Sequence, residues 1–274
     1  MVQKYVLEME PMKQPVYFTI EGSKIEELFN LMAQPYLLKC CNNIHSEGRS
    51  FNIFENKNGN IKIESNNVKF YIKPEQIAFG LQKLLAENII LKEGYYFAHG
   101  AIISYCGKGI LLLGKSGSGK STLTAYLCSN GFQYVSDDKA IISSVTDKVY
   151  PFSRFIQLRE DALNILKQYH IVLKTKDISI YEYNRKSVID IIPQKVEKID
   201  LIVLLLRHNN IDECILQRKK GNDAMQALLW NSYSANCIHD TIHSAISFAR
   251  KKQVYFLEYN RMDETGKLLE RVCQ

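Results

Sequence analysis

Ile110-Leu111-Leu112-Leu113-Gly114-Lys115-Ser116-Gly117-Ser118-Gly119-Lys120-Ser121-Thr122 is an apolar run that ends in a glycine-rich turn carrying two lysines. The spacing from Gly114 to Gly119-Lys120-Ser121 fits G-x-x-x-x-G-K-[ST], the pattern of a phosphate-binding loop. Glycine permits positive φ and leaves no Cβ in the way, so successive N–H groups can converge on phosphate oxygens at a helix N-terminus. Lys120 is the residue expected to reach the β- and γ-phosphates, and the Ser121 hydroxyl the one expected to help hold Mg²⁺. The flanks agree: a buried strand precedes the loop, and Leu123 to Cys128 reads as a helix that Asn130-Gly131 stops.

Downstream, Phe132-Gln133-Tyr134-Val135 reads as a strand running into Ser136-Asp137-Asp138. A strand after a helix after a strand implies a right-handed crossover, which puts the carboxyl ends of both strands on one edge. Two adjacent carboxylates at such an edge repel each other unless a cation intervenes, and Mg²⁺ with Lys120 supplies it. Upstream, Tyr95 to Tyr105 and a turn at Cys106 to Gly109 deliver the chain to the loop strand, with His99 at the head of the segment. Lys198 to Leu206 is a near-continuous apolar run, the mark of a central strand buried on both faces. It ends in Arg207-His208 instead of an acid, which places the acidic role on Asp137 and Asp138.

Ala140 to Val145 and Lys148 to Tyr150 read as a hairpin leading to Pro151 to Arg159, where Arg154 and Arg159 are candidates for a clamp on the transferring phosphoryl group. Glu160 to Tyr169 and Asn222 to Trp230 are helix-like, Thr175 to Tyr183 and Cys214 to Gln217 strand-prone. Val254 to Tyr259 reads as a strand and Glu264 to Val272 as a closing helix. His239 and His243 stand one helical turn apart, a spacing that zinc sites use, without a Glu beside the first or an evident third ligand.

Residues 1–92 read as a small α/β lobe without recognisable chemistry, and 93–274 as the catalytic domain. In the lobe, Tyr5 to Leu7 and Val16 to Ile20 are expected strands, and Lys24 to Met32 a helix. Phe51 to Phe54 and Ile61 to Glu64 form a hairpin across Asn56 to Asn60. Val68 to Ile72 is a further strand, and Glu75 to Glu87 an amphipathic helix begun by Pro74.

Composition bounds the answer without choosing it. A hydrophobic fraction of 46% over 274 residues suits a globular enzyme, and the net charge of +6 is scattered, which argues for solvated lysines over a nucleic-acid surface. Seven cysteines form no C-x-x-C pair, and an odd count leaves one unpaired under any disulfide scheme. Reduced thiols in a cytoplasmic protein are the expectation. No apolar signal core follows Met1, and no run of about eighteen apolar residues marks a membrane span.

His99-Gly100, the Gly107 to Gly109 turn, the loop from Gly114 to Ser121, Gly131 and Asp137-Asp138 together resemble the HPr serine kinase/phosphorylase family. More closely they resemble its shorter peptide-modifying relatives, including kinases that tailor lasso peptides. Pro151 to Arg159 and Tyr255 to Tyr259 also look like these relatives, so the likeness runs over roughly residues 95 to 270. The resemblance implies a mixed α/β (α+β) fold with a P-loop kinase core of the HPr kinase type. It implies ATP and Mg²⁺ as cofactors, a peptide or small-protein partner bearing serine, and a homo-oligomer as one form of assembly. It also implies Asp137 as the base that accepts the substrate hydroxyl proton, Asp138 as a magnesium-linked carboxylate, and His99 as a partner near the reacting groups. The sequence departs from HPr kinases in three places. Gln157-Leu158-Arg159-Glu160 stands where they carry Glu-x-Arg-Gly, Thr122 follows Ser121 where they usually have Glu, and the N-terminal lobe is shorter.

Two other readings stand beside the kinase. A transport-type ATPase would need an L-S-G-G-Q-like element and a strand ending in Asp-Glu, and neither is present. A nucleotide-gated binding module would use Lys120 and the aspartates only to sense ATP.

Overall fold

A computed structural model describes residues 2–8, 14–23, 25–26, 29, 39–44, 48–65, 68–76, 80, 84, 95–143, 146, 148–151, 156–177, 186–189, 191, 194, 196–208, 211–230, 232–233 and 238–274. The chain is mixed α/β, and its described residues divide into two compact units, those up to 84 in the first and those from 95 on in the second.

The first unit is built on a six-stranded sheet of β1 (Val2–Leu7), β2 (Val16–Glu21), β3 (Lys39–Cys40), β4 (Arg49–Glu55), β5 (Ile61–Ser65) and β6 (Val68–Ile72), ordered β3-β1-β2-β4-β5-β6. Every pairing is antiparallel except β2 with β4. Alternation sets the buried face: Phe51, Ile53, Ile61 and Ile63 are buried while Ser50, Asn52 and Lys62 are not. Phe18 packs against Phe29 and Phe51 with ring centroids 5.2 and 6.1 Å away. The β4–β5 hairpin turns where the sequence indicates, with Asn56 Oδ1 accepting from the N–H groups of Asn58 and Asn60. The expected helices over Lys24 to Met32 and Glu75 to Glu87 lie largely outside the described residues, which show a short 3₁₀ turn at Pro74–Gln76.

In the second unit the strands are β7 (Tyr95–Ala98), β8 (Ala101–Tyr105), β9 (Lys108–Leu113), β10 (Gln133–Ser136), β11 (Ala140–Ser143), β12 (Val149–Pro151), β13 (Ile156–Arg159), β14 (Thr175–Asp177), β15 (Lys186–Ile189), β16 (Leu201–Arg207), β17 (Ile215–Lys219), β18 (Ser232–Tyr233) and β19 (Gln253–Tyr259). Its helices are α1 (Lys120–Ser129), α2 (Glu160–Gln168), α3 (Gly221–Trp230), α4 (Ile238–Arg250) and α5 (Met262–Cys273). The main sheet runs β10-β8-β9-β16-β19-β17, beside a four-stranded sheet β12-β11-β7-β18 and a three-stranded one β13-β15-β14.

The centre of the main sheet is parallel: Leu204 of β16 pairs with Leu113 of β9 and with Phe256 of β19. Because successive side chains point to opposite faces, the apolar run of β9 feeds two cores. Ile110 and Leu112 join Leu201, Val203 and Leu205 in a core with Leu123 and Leu127 of α1 and Leu269 of α5. Leu111 and Leu113 join Ile202 and Leu204 in a core with Leu228 of α3 and Phe248 of α4. That double burial is why β9 and β16 read as unbroken hydrophobic stretches.

Of the crossover expectation, the shared strand direction is what the pairing gives. β10 points the same way as β9, but antiparallel β8 lies between them. The turn joining β8 to β9 is Cys106-Gly107, both at positive φ (48° and 76°), while Lys108 and Gly109 already belong to β9. A Cβ on Gly109 would run into the Lys198 carbonyl, and its N–H donates to Asp200 Oδ2 at 3.0 Å. Gly131 (φ 95°) ends α1 as expected, with the Phe132 N–H returning to the Leu127 carbonyl. Among the described residues no helix is long and apolar enough to cross a membrane.

Candidate active site

Gly119, at φ 84°, breaks the backbone between the β9 strand and α1 and leaves the first-turn N–H groups of the helix without side-chain caps. These unsatisfied donors, aided by the helix dipole, form an anion cradle. Gly114 is required by space: a Cβ there would lie 2.6 Å from Ser118 Oγ and 3.0 Å from the Leu205 carbonyl. Lys120 curls back onto the loop, its Nζ donating to the carbonyls of Gly114 at 2.6 Å and Lys115 at 3.2 Å. Burial pulls its pKa below the ordinary lysine value, and the charges of Asp137 and Asp138 partly restore it.

The seam between two sheets gathers the other expected residues. β7 of the four-stranded sheet becomes β8 of the main sheet through His99-Gly100, and β10 of the main sheet becomes β11 of the four-stranded one through Asp137-Asp138-Lys139. β7 pairs with β11, Ala98 opposite Ala140, and β8 pairs with β10, Ile102 opposite Ser136. The two sheet-changing connections therefore run side by side. A register shift between Tyr134 and Ser136 bends β10 just before the aspartates.

Across this seam His99 Nδ1 lies 2.8 Å from the Asp138 carbonyl and 3.3 Å from its Oδ1. Asp138 holds φ at 72°, a left-handed conformation that Asp tolerates better than most residues and that costs free energy unless its surroundings enforce it. Asp137 points the other way. Only 4% exposed, it accepts a 2.8 Å hydrogen bond from Ser121 Oγ on the first turn of α1. Loop lysine, loop serine, both carboxylates and His99 thus form one constellation at the carboxyl ends of β9 and β10.

Thr122 is buried in α1. Arg159 ends β13 in the three-stranded sheet, exposed and without an ion pair among the described residues; Arg154 lies outside them. His239 and His243 fall on α4, and among the described residues no three His, Cys, Asp or Glu gather as a metal cluster. A hydroxyl and carboxylates backed by phosphate oxygens are the hard donors that Mg²⁺ takes, and Ser121 with the aspartates fits that set.

Sequence reasoning missed Tyr259. Its hydroxyl donates to the Ser118 carbonyl at 2.6 Å from the end of β19, bracing the loop across 141 residues of chain. Burial drives its phenol well above the usual tyrosine range. The resemblance over Tyr255 to Tyr259 touches it without giving it a role, because only the parallel pairing of β16 with β19 carries it to the loop.

Residues 93–166 match the family described as HPr Serine kinase C-terminal domain. The HPr kinase/phosphorylase of Malacoplasma penetrans is 36% identical over 69 residues, 25% of this chain and 22% of that protein. The HPr kinase/phosphorylase of Chlorobium limicola is 48% identical over 44 residues, 16% of this chain and 13% of that one. The chain therefore spans less than a quarter of the length of either relative. The structure of the Hpr(Ser) kinase/phosphatase from Coxiella burnetii aligns with a TM-score of 0.31 and 12% identity, over 64% of this chain and 87% of that one.

Proposed function

We propose that this chain is an ATP- and magnesium-dependent cytoplasmic kinase that transfers the γ-phosphate to a serine hydroxyl of a peptide or small protein, with a ribosomal, lasso-type peptide as the favoured acceptor. The observation that carries the reading is the single constellation of Lys120, Ser121, Asp137, Asp138 and His99 at one strand edge. Phosphoryl transfer asks for this and little more: screened charge, an aligned hydroxyl and a nearby proton acceptor. Free thiols at Cys40, Cys41, Cys106, Cys128, Cys214 and Cys273 suit a reducing compartment.

In this reading the loop amides and Lys120 hold the β- and γ-phosphates, and Arg159 or Arg154 closes on the transferring group. Ser121 and Asp138 would hold Mg²⁺, which would supply screening of the phosphate charge. Asp137 takes the proton of the acceptor hydroxyl as its oxygen bonds to the γ-phosphorus and the bond to ADP breaks. His99 fixes the Asp138 backbone and carboxylate. Two observations favour exchanging the two aspartate roles: Asp137 already bonds Ser121, and Asp138 is the more exposed, beside His99.

Intact-mass spectrometry tests both questions. A lasso-type peptide ending in serine and an HPr protein are each incubated with the full chain, ATP and Mg²⁺, using wild type, Asp137→Asn and Asp138→Asn. A gain of one phosphate on the peptide alone, lost in Asp137→Asn by about 10²–10⁴-fold, is the expected result. Phosphate on HPr alone would make HPr, the protein in the matched relatives' names, the acceptor. Loss in Asp137→Asn that excess Mg²⁺ restores, with loss in Asp138→Asn that it does not, would exchange the aspartates. ATP bound with no transfer to either acceptor would leave a binding module.

A further inference from the structure

The sheet order gives the phosphate loop two sides. On the β10 side stand Asp137, Asp138 and His99, where the γ-phosphate and the acceptor belong. On the other side lie the carboxyl ends of β16 and β19, which pair residue for residue up to Arg207 and Tyr259. On the nucleotide reading above, with the γ-phosphate toward β10, the far end of the ligand extends toward this second side.

Three basic residues described at those strand ends are Arg207, His208 and Arg261. His208 Nε2 lies 3.2 Å from Glu258 Oε2. Arg261 is taken by Asp263 at 2.9 Å and Glu264 at 2.6 Å. Arg207 is exposed and has no carboxylate partner among the described residues. Its side chain lies against the last glycine of the loop: a Cβ built on Gly119 would stand 3.7 Å from Arg207 Cδ and 3.9 Å from Nη1. The neighbouring Tyr259 hydroxyl, tied to Ser118, holds that stretch of loop against the β16 and β19 ends.

We propose that Arg207 is the nucleoside-side contact of the bound nucleotide, its planar guanidinium stacking on the nucleobase while the loop holds the phosphates. A guanidinium is planar, weakly hydrated and permanently charged, so it stacks on an aromatic face in a way an ammonium does not. The assignment explains why β16 ends in a base where an acid would serve magnesium: the carboxylates are supplied from β10, and this strand end faces the other half of the ligand. It rests on the nucleotide reading above and adds a residue to it.

The test compares equilibrium binding of ATP and of inorganic tripolyphosphate, which has the phosphates and no nucleoside, to the full-length wild type, Arg207→Met and Arg207→Lys. Arg207→Met is expected to weaken ATP about tenfold, as loss of one stacking contact does, and to leave tripolyphosphate within about twofold. Arg207→Lys, which keeps the charge and loses the plane, should stay close to Arg207→Met. Equal weakening of both ligands would make Arg207 a phosphate contact and overturn the proposal. So would unchanged ATP binding, which would make Arg207 a solvated surface residue. Wild type binding neither ligand would overturn the nucleotide reading itself, a result separable from the other two by the wild-type data alone. Matching circular-dichroism melts confirm that the exposed substitutions leave the fold intact.

Discussion

The two six-stranded sheets of this protein use similar apolar residues to opposite ends. In the first unit, five strand pairings with one parallel exception give a sheet whose strands reverse from neighbour to neighbour, so carboxyl ends fall on both edges. In the second, β9, β16 and β19 run together, and β10 points the same way beyond β8. Four carboxyl ends therefore meet at one edge, bringing the glycine-rich loop, Asp137, Arg207 and Tyr259 with them. A shared strand direction collects loops, and loops at a shared edge are where a rigid scaffold can hold chemistry.

The sharpest challenge to this contrast is a pair of core truncations. Ile63→Ala and Leu112→Ala remove side chains that are fully buried, and each should cost about 2–5 kcal/mol in urea unfolding. Ile63→Ala should nevertheless leave the ATP dissociation constant unchanged at temperatures where the protein is folded. A loss of ATP affinity in Ile63→Ala would show that the site is not confined to the parallel sheet.

Gly114→Ala should follow in size. Its methyl group would overlap Ser118 Oγ and press on the Leu205 carbonyl, costing about 1–3 kcal/mol. The loop must shift to relieve that contact, so calorimetry should read ATP binding weakened about tenfold or more. Unaltered binding would mean that the close approach of loop and β16 is dispensable.

Tyr259→Phe removes one buried donor while keeping the ring. The Ser118 carbonyl loses its partner, a loss of about 1 kcal/mol, and ATP affinity should fall about fivefold. An equal affinity would show that β19 frames the loop without bracing it.

The smallest effect concerns thiols. Burial, then the charge of Asp137, pushes Cys128 up to about 12, and burial pushes Cys273 to about 11. At pH 8 the Cys128 thiolate is then about one part in 10⁴, so iodoacetamide should label exposed Cys40 and Cys106, one in each unit, well before Cys128. Raising the pH toward 11 should narrow the gap. Early labelling of Cys128 would place α1 in a more open environment than the structure gives it.

Much of this was legible in the chain. The spacing of Gly114 and Gly119 announces a tight loop, and the structure shows why both are glycines: Gly114 has no room for a Cβ and Gly119 holds a positive φ. The apolar stretches of β9 and β16 announce burial on both faces, and Gly131 announces the end of α1. The Asp137-Asp138 pair stands out as two adjacent carboxylates at the end of an expected strand. Each of these signals is local, carried by residues within a turn or two of one another.

What the tertiary structure decided is non-local. The two aspartates face different ways, Asp137 to Ser121 and Asp138 to His99, because the chain changes sheets at both connections and the strands flanking them pair. Tyr259 meets Ser118, and Arg207 meets Gly119, because parallel pairing in one register brings the ends of β16 and β19 beside the loop. Sequence fixes residue types and local geometry through short-range sterics and hydrogen bonding. Which distant side chains share a site depends on strand order and register, set by how the whole apolar pattern packs.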